Sequence, residues 1–272
     1  MVVLRARRRL AGVFCFGLGV CAAACGLGPA ARPALAQNAT AAAQSPEFAK
    51  LADQLAANRA AETETSQATE QQALEMLDRA VLPSLNVSAA DQAALNQRLS
   101  KFVTREPPLG EGFRVFALGG TPASFALLAD FGGSGPSAVR IYAGAPGKLS
   151  LAARLDRYAQ PDFLDDYIEL VPIPGPAAVF VTVAGRTDDF KTGVFTAWHF
   201  DGHRVEQVWT SDIVSQSNYE VTPTGFQLDY CADDNPDDPR ACHDIRRERF
   251  AWMDGAWKQS ESMTLAPVGG GH

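Results

Sequence analysis

Two cysteines with a run of acids between them are the groups in this chain best placed to do chemistry. Cys231 and Cys242 are separated by ten residues, and the intervening segment carries Asp233, Asp234, Asn235, Asp237 and Asp238. A calcium ion takes six to eight oxygen ligands, and clustered carboxylates in an extracellular loop could supply several. No EF-hand or RTX spacing accompanies them, so the competing reading is an acidic, proline-broken surface loop pinned by a disulfide. His243 adjoins Cys242, but no CxxC or HxxxH pair converges there, and no other metal site is expected. His199 and His203 stand four apart, a spacing that would place both on one face of a helix. Here Asp201-Gly202 lies between them, and a turn there sends them to opposite faces of a strand pair. Ser211, Ser215 and Ser217 occur without a GxSxG elbow, and neither SxxK nor HExxH is present. No catalytic residue is assigned. Trp198, Trp209, Trp252 and Trp257 could form an aromatic binding surface for sugars or proline-rich peptides, or pack between repeated units. The glycine-rich GGTPAS and FGGSG segments lack the lysine or helix start of a phosphate cradle.

The cysteines take their meaning from the N-terminus. Residues 1–36 read as an export signal: Arg5, Arg7, Arg8 and Arg9, then an apolar run from Leu10 to about Ala24, then Ala34-Leu35-Ala36 as the cleavage box. Rival readings are a lipid anchor on Cys25 after Ala22-Ala23-Ala24, an uncleaved membrane anchor, and twin-arginine export. Cleavage after Ala36 would remove Cys15, Cys21 and Cys25, leaving Cys231 and Cys242 to form one disulfide in a periplasmic or secreted bacterial protein. It would also leave no integral membrane span. Five of the 24 basic residues and none of the 31 acidic ones fall within 1–36, so the remainder carries a net charge of −12. Nucleic acid and anionic membrane surfaces are poor partners for such a chain. The short basic run Arg246-Arg247 with Arg249 is interrupted by Glu248.

The elements that must position these residues fall into two regions. Residues 37–44 form a small polar leader, and 45–105 read as helical. Ser45-Pro46 opens a stripe with Phe48, Leu51 and Leu55. Leu74, Leu77 and Val81 continue one that Pro83 is expected to end. Ser88 with Asp91 resembles a capping box opening a further helix with Leu95, Leu99 and Phe102 on its apolar face. The stretch 61–72 has few apolar residues. These helices would cap the downstream domain, pack on one another or dock a partner.

From Phe113 the hydrophobic period changes to two, and the chain repeats itself. Three units, each of four short strands, open at Phe113, Tyr167 and Tyr219, spaced 54 and 52 residues apart. Their final turns fall at Gly147, Gly202 and Gly255, spaced 55 and 53 apart. Asp201-Gly202 and Asp254-Gly255 suit two-residue type I′ hairpins. That geometry pairs Phe200 with His203, Trp198 with Val205, and Trp252 with Trp257. The expected fold is therefore mainly β with an α-helical N-terminal segment: three four-stranded antiparallel propeller-like repeats over 110–265, and a flexible tail at 266–272.

Four-stranded units of this length resemble β-propeller blades. Ala129-Asp130-Phe131-Gly132-Gly133-Ser134-Gly135 with Val139 resembles the loop of FG-GAP-type propeller repeats. In that family an Asp-rich loop binds calcium; here Asp130 alone is retained, while Gly132, Ser134 and Ser137 replace the expected oxygen ligands. The functional expectation is an exported, non-enzymatic binding or scaffolding protein whose partner is an envelope protein or glycan, with no cofactor unless calcium. The alternative is a periplasmic hydrolase of envelope carbohydrate or peptide using Asp165, Asp166 or Asp188 as acid and base.

Overall fold

A computed structural model describes residues 50, 67–89, 91–100, 112–130, 137–156, 167–185, 192–233 and 242–265. The export segment, the Ser45-Pro46 helix start, Phe102, the body of the FG-GAP-like loop, Asp165, Asp166, Asp188, Asp189 and the 266–272 tail lie outside them. So do Asp234, Asn235, Asp237 and Asp238. The described chain runs α1 (Gln67–Ser88), α2 (Gln92–Leu99), then twelve strands. These are β1 (Phe113–Leu118), β2 (Ser124–Asp130), β3 (Ser137–Ala143), β4 (Ser150–Asp156), β5 (Tyr167–Ile173) and β6 (Ala178–Gly185). They continue as β7 (Gly193–Phe200), β8 (Val205–Thr210), β9 (Ser215–Thr222), β10 (Gly225–Cys231), β11 (Ile245–Met253) and β12 (Ala256–Leu265). Each successive group of four forms one antiparallel meander, giving three four-stranded sheets.

Alternation along the strands assigns every side chain to one of two sheet faces, and the faces stack in sequence order. One face of the first sheet presents Phe125, Leu127, Ala129 and Tyr142 to Leu74, Leu77, Val81, Leu85, Leu95 and Leu99 of the helices. Its other face presents Ala126, Leu128, Val139 and Ile141 to Ile168, Leu170, Phe180, Trp198 and Phe200 of the second sheet. The second sheet in turn offers Val179, Val181, Val183, Phe195 and Ala197 to Phe226, Leu228 and Phe250 of the third. The order of layers is helices, first sheet, second sheet, third sheet. The back of each sheet packs on the front of the layer before it. At the ends of the sheets the β1–β2 and β5–β6 turns nest: a Cβ on Gly119 would stand 2.6 Å from the carbonyl oxygen of Ala177, which only glycine permits.

The repeat extends to an irregularity. In the last hairpin of every unit the register slips by one residue, between Ile141 and Tyr142, between Ala197 and Trp198, and between Arg249 and Phe250. The extra residues are Ala152, Val208 and Ser260, one in each sheet's final strand. A bulge at that place bends the strand and strengthens its twist. It also makes each final edge a poor template for another strand.

The helical layer is attached to the first sheet through its edges. Asn96 Nδ2 donates to the carbonyl of Val115 at 2.9 Å, while the Val115 N–H donates to Asn96 Oδ1 at 2.7 Å. Asn86 does the same for Leu149, beside β4, at 3.1 and 2.6 Å. These two amides occupy backbone groups at both open edges, as a neighbouring strand would. Beneath α1, Asp78 accepts a 2.6 Å hydrogen bond from Tyr142 and lies 4.0 Å from the fully buried Arg140.

Several expectations are corrected here. Pro83 lies inside α1 rather than ending it: the following turn is held by buried Leu85 and by Asn86, and tertiary packing outweighs the lost backbone bond. The cap of α2 is Asp91, whose side chain accepts from the Ala94 N–H, while Ser88 closes α1. The Asp254-Gly255 turn is as expected, with φ of 53° and 74° and Trp252 opposite Trp257. The Asp201-Gly202 turn is not. Asp201 Oδ1 accepts from the N–H groups of His203 and Arg204, making a four-residue loop. Phe200 therefore pairs with Val205 and Trp198 with Gln207, and His203 sits in the exposed loop rather than on a strand opposite Phe200. Among the described residues no helix is long and apolar enough to cross a membrane.

Candidate functional site

The front face of the third sheet differs from its counterparts. Where the first two sheets carry Ala126, Leu128, Val139 and Ile141, or Val181, Val183, Phe195 and Ala197, the third carries Gln227, Asp229, Arg247 and Arg249. The exchange of four apolar positions for four polar ones is confined to this face, since Phe226, Leu228 and Phe250 still fill the back. Arg247 grips Asp229 through two bonds of 2.8 and 2.6 Å, a fork on a carboxylate that raises the guanidinium pKa further. Arg249 donates to Gln227 Oε1 at 2.9 Å and to Glu261 Oε2 at 2.5 Å. Glu220 and Asn218 of β9 stand opposite Gln227 and Asp229, and Met263 of β12 stands opposite Arg247. The result is two rows of alternating acid, amide and arginine across the sheet, with the half-exposed Met263 at one end.

Strand alternation places Cys231 on the same face, beyond Asp229. It is bonded to Cys242, with Cα atoms 5.7 Å apart, so the expected disulfide is present. Closing so short a loop contributes about 3 kcal/mol in the chain-entropy treatment. Asp233, one of the proposed calcium ligands, turns back into the loop and accepts the N–H groups of Asp244 at 2.9 Å and His243 at 3.0 Å. Those bonds hold its carboxyl below the usual carboxylate range. Asp130, retained from the FG-GAP-like loop, is buried and accepts from Ser137 at 3.3 Å.

The four tryptophans are not gathered on one surface. Trp198 lies between the first and second sheets, 7% exposed, with its indole N–H donating to Thr182 at 2.8 Å. Trp209, Trp252 and Trp257 lie between the second and third. Trp209 packs on Phe250 at 4.4 Å, Trp257 stacks on Phe250 at 5.9 Å, and Trp252 stacks on His199 at 4.1 Å. Desolvation against that ring lowers the His199 pKa from its ordinary value of 6.5. Tyr219 donates to Glu169 across the same interface. No single stretch of the sequence announces the charged face. Its signal is the comparison of equivalent positions between repeats, which requires the register of the strands.

No protein-family model matches the chain, no curated protein matches it, and no solved structure matches it.

Proposed function

We propose that this is an exported, non-enzymatic binding protein of the bacterial envelope, built as an open run of propeller-type blades, whose contact surface is the front of the third sheet. The observation that carries this reading is the substitution of Gln227, Asp229, Arg247 and Arg249 at positions that are apolar docking surface in the two preceding sheets. The same backbone surface that receives the next layer twice is here pre-ordered by ion pairs, with Gln227 buried and Asp229, Arg247, Arg249 and Glu261 part-exposed, at the end of the described stack. A protein partner suits it better than a glycan. The aromatic rings that would stack on sugars are committed to the spaces between sheets, whereas alternating arginine and carboxylate rows match the charged rim chemistry of protein interfaces.

The test is site-specific photo-cross-linking in the intact envelope, with the photoreactive residue placed at Glu220 or Met263 and, as control, at Lys148 in the β3–β4 turn. A discrete adduct formed from the first two positions and absent from the third supports the reading. Equal labelling from all three, or a glycan adduct in place of a protein one, overturns the corresponding part.

A further inference from the structure

We propose that Cys231, Cys242, Asp233 and His243 constitute a redox-gated site for a divalent transition metal of the thiolate- and imidazole-binding class typified by zinc, closed while the disulfide is intact. The ligating atoms of Cys231, Asp233 and Cys242 already lie within 4.8 Å of one another. Asp233 Oδ1 is 3.1 Å from the Cys231 sulfur and 3.3 Å from the Cys242 sulfur, so one carboxylate oxygen faces both sulfurs together. His243 stands outside that close group, with Nδ1 3.9 Å from Asp233 Oδ2 and its side chain 66% exposed. In a tetrahedral zinc site, with metal–sulfur bonds near 2.3 Å and metal–oxygen bonds near 2.0 Å, neighbouring ligand atoms stand roughly 3.6 Å apart. The oxygen–sulfur separations of 3.1 and 3.3 Å are shorter than that by roughly 0.3 to 0.5 Å, so the carboxylate must move back slightly as a metal enters. The sulfur–sulfur separation must widen too, and breaking the bond between them releases it.

The surrounding chain holds the set in place. Cys231 ends β10 opposite Ile245 of β11, and Cys242 stands three residues before that partner. Asp233 is oriented by backbone donors: Oδ1 accepts from the N–H groups of Asp244 at 2.9 Å and His243 at 3.1 Å, and Oδ2 from that of His243 at 3.0 Å. A dithiol reductant attacks one sulfur as its thiolate and forms a mixed disulfide. Its second thiol then displaces the remaining protein sulfur, so two electrons pass to the protein and the reductant leaves as a disulfide. The two protein thiols give up two protons on binding the metal, because the thiolate is the ligand. Two thiolates beside a carboxylate repel one another, and a dication removes that repulsion. The disulfide sulfurs carry no charge to attract one.

The experiment uses the full chain carrying Cys15→Ser, Cys21→Ser and Cys25→Ser, so that Cys231 and Cys242 are its two thiols once reduced; it is reduced anaerobically with a dithiol, desalted and titrated with Co2+ and then Zn2+. The expected result is one equivalent of cobalt with tetrahedral visible bands and a thiolate-to-cobalt charge-transfer band, bleached by zinc and absent from the oxidised protein. Asp233→Ala and His243→Ala should each weaken cobalt binding by about tenfold or more. Zinc should also slow alkylation of the two thiols in the reduced chain, a readout that holds even if the loop loosens on reduction. No charge-transfer band, equal binding by the oxidised protein, or alkylation indifferent to zinc would each overturn the proposal.

Discussion

Asn96 and Asn86 each satisfy a donor and an acceptor on a strand edge, so each does the work of two side chains. Removing either amide leaves two partly buried backbone groups without that partner. Asn96→Ala should therefore lower stability by about 1–3 kcal/mol, read as a shift of the urea midpoint at unchanged slope. An aspartate at the same position accepts but cannot donate, and should recover only part of the loss. His199 gives a pH dependence with a definite sign. Burial against Trp252 lowers its folded-state pKa below 6.5, so the unfolded chain binds the proton more readily. This contribution to stability is present above pH 6.5 and is lost as pH falls through the lowered folded-state value. The opposing pull of Asp201 and Glu206 limits its size. The denaturant midpoint of the native chain should fall across that window more steeply than that of His199→Phe.

At the scale of elements, α1 carries its own flaw. Pro83 removes one backbone bond in a helix whose continuation is held by Leu85 and Asn86. Pro83→Ala should restore that bond and raise the melting temperature, with a gain of about 1–3 kcal/mol set against the added freedom of the unfolded chain. The same helix shows why sequence reading reached some elements and missed others. Period-two alternation and the even spacing of Phe113, Tyr167 and Tyr219 were enough to place all twelve strands, because those signals are local. The Asp254-Gly255 turn was legible for the same reason. Asp201-Gly202 has the same two letters, yet there the Asp201 side chain caps two backbone N–H groups and a longer loop results. The bulges at Ala152, Val208 and Ser260 left no mark in composition. Pro83 misled because a propensity of a few kcal/mol was opposed by packing that the sequence does not display. The disulfide was legible from cysteine count, whereas the approach of Asp233 to both sulfurs depends on how the loop re-enters β11.

The described helices and sheets form a stack with a direction, terminated differently at its two ends. Helices cover the back of the first sheet, and the paired charges of Asp229, Arg247, Arg249 and Glu261 occupy the front of the third. Repeat arrays need such polar outer faces to stay in solution. Giving the third sheet the apolar residues of the second, as Arg247→Phe with Arg249→Ala and Asp229→Val, should convert that face into docking surface. Light scattering should then report self-association of the triple variant at concentrations where the native chain stays a single species. The layers themselves are joined almost wholly by side chains: ladders run within each sheet, and Gly193–Val214 is a lone described bridge as the chain passes toward the third. A pulling force between α1 and β12 therefore meets greasy contacts before it meets rows of hydrogen bonds. Under tension from an attached partner, the protein would come apart leaf by leaf, each sheet still intact as its neighbour lifts away.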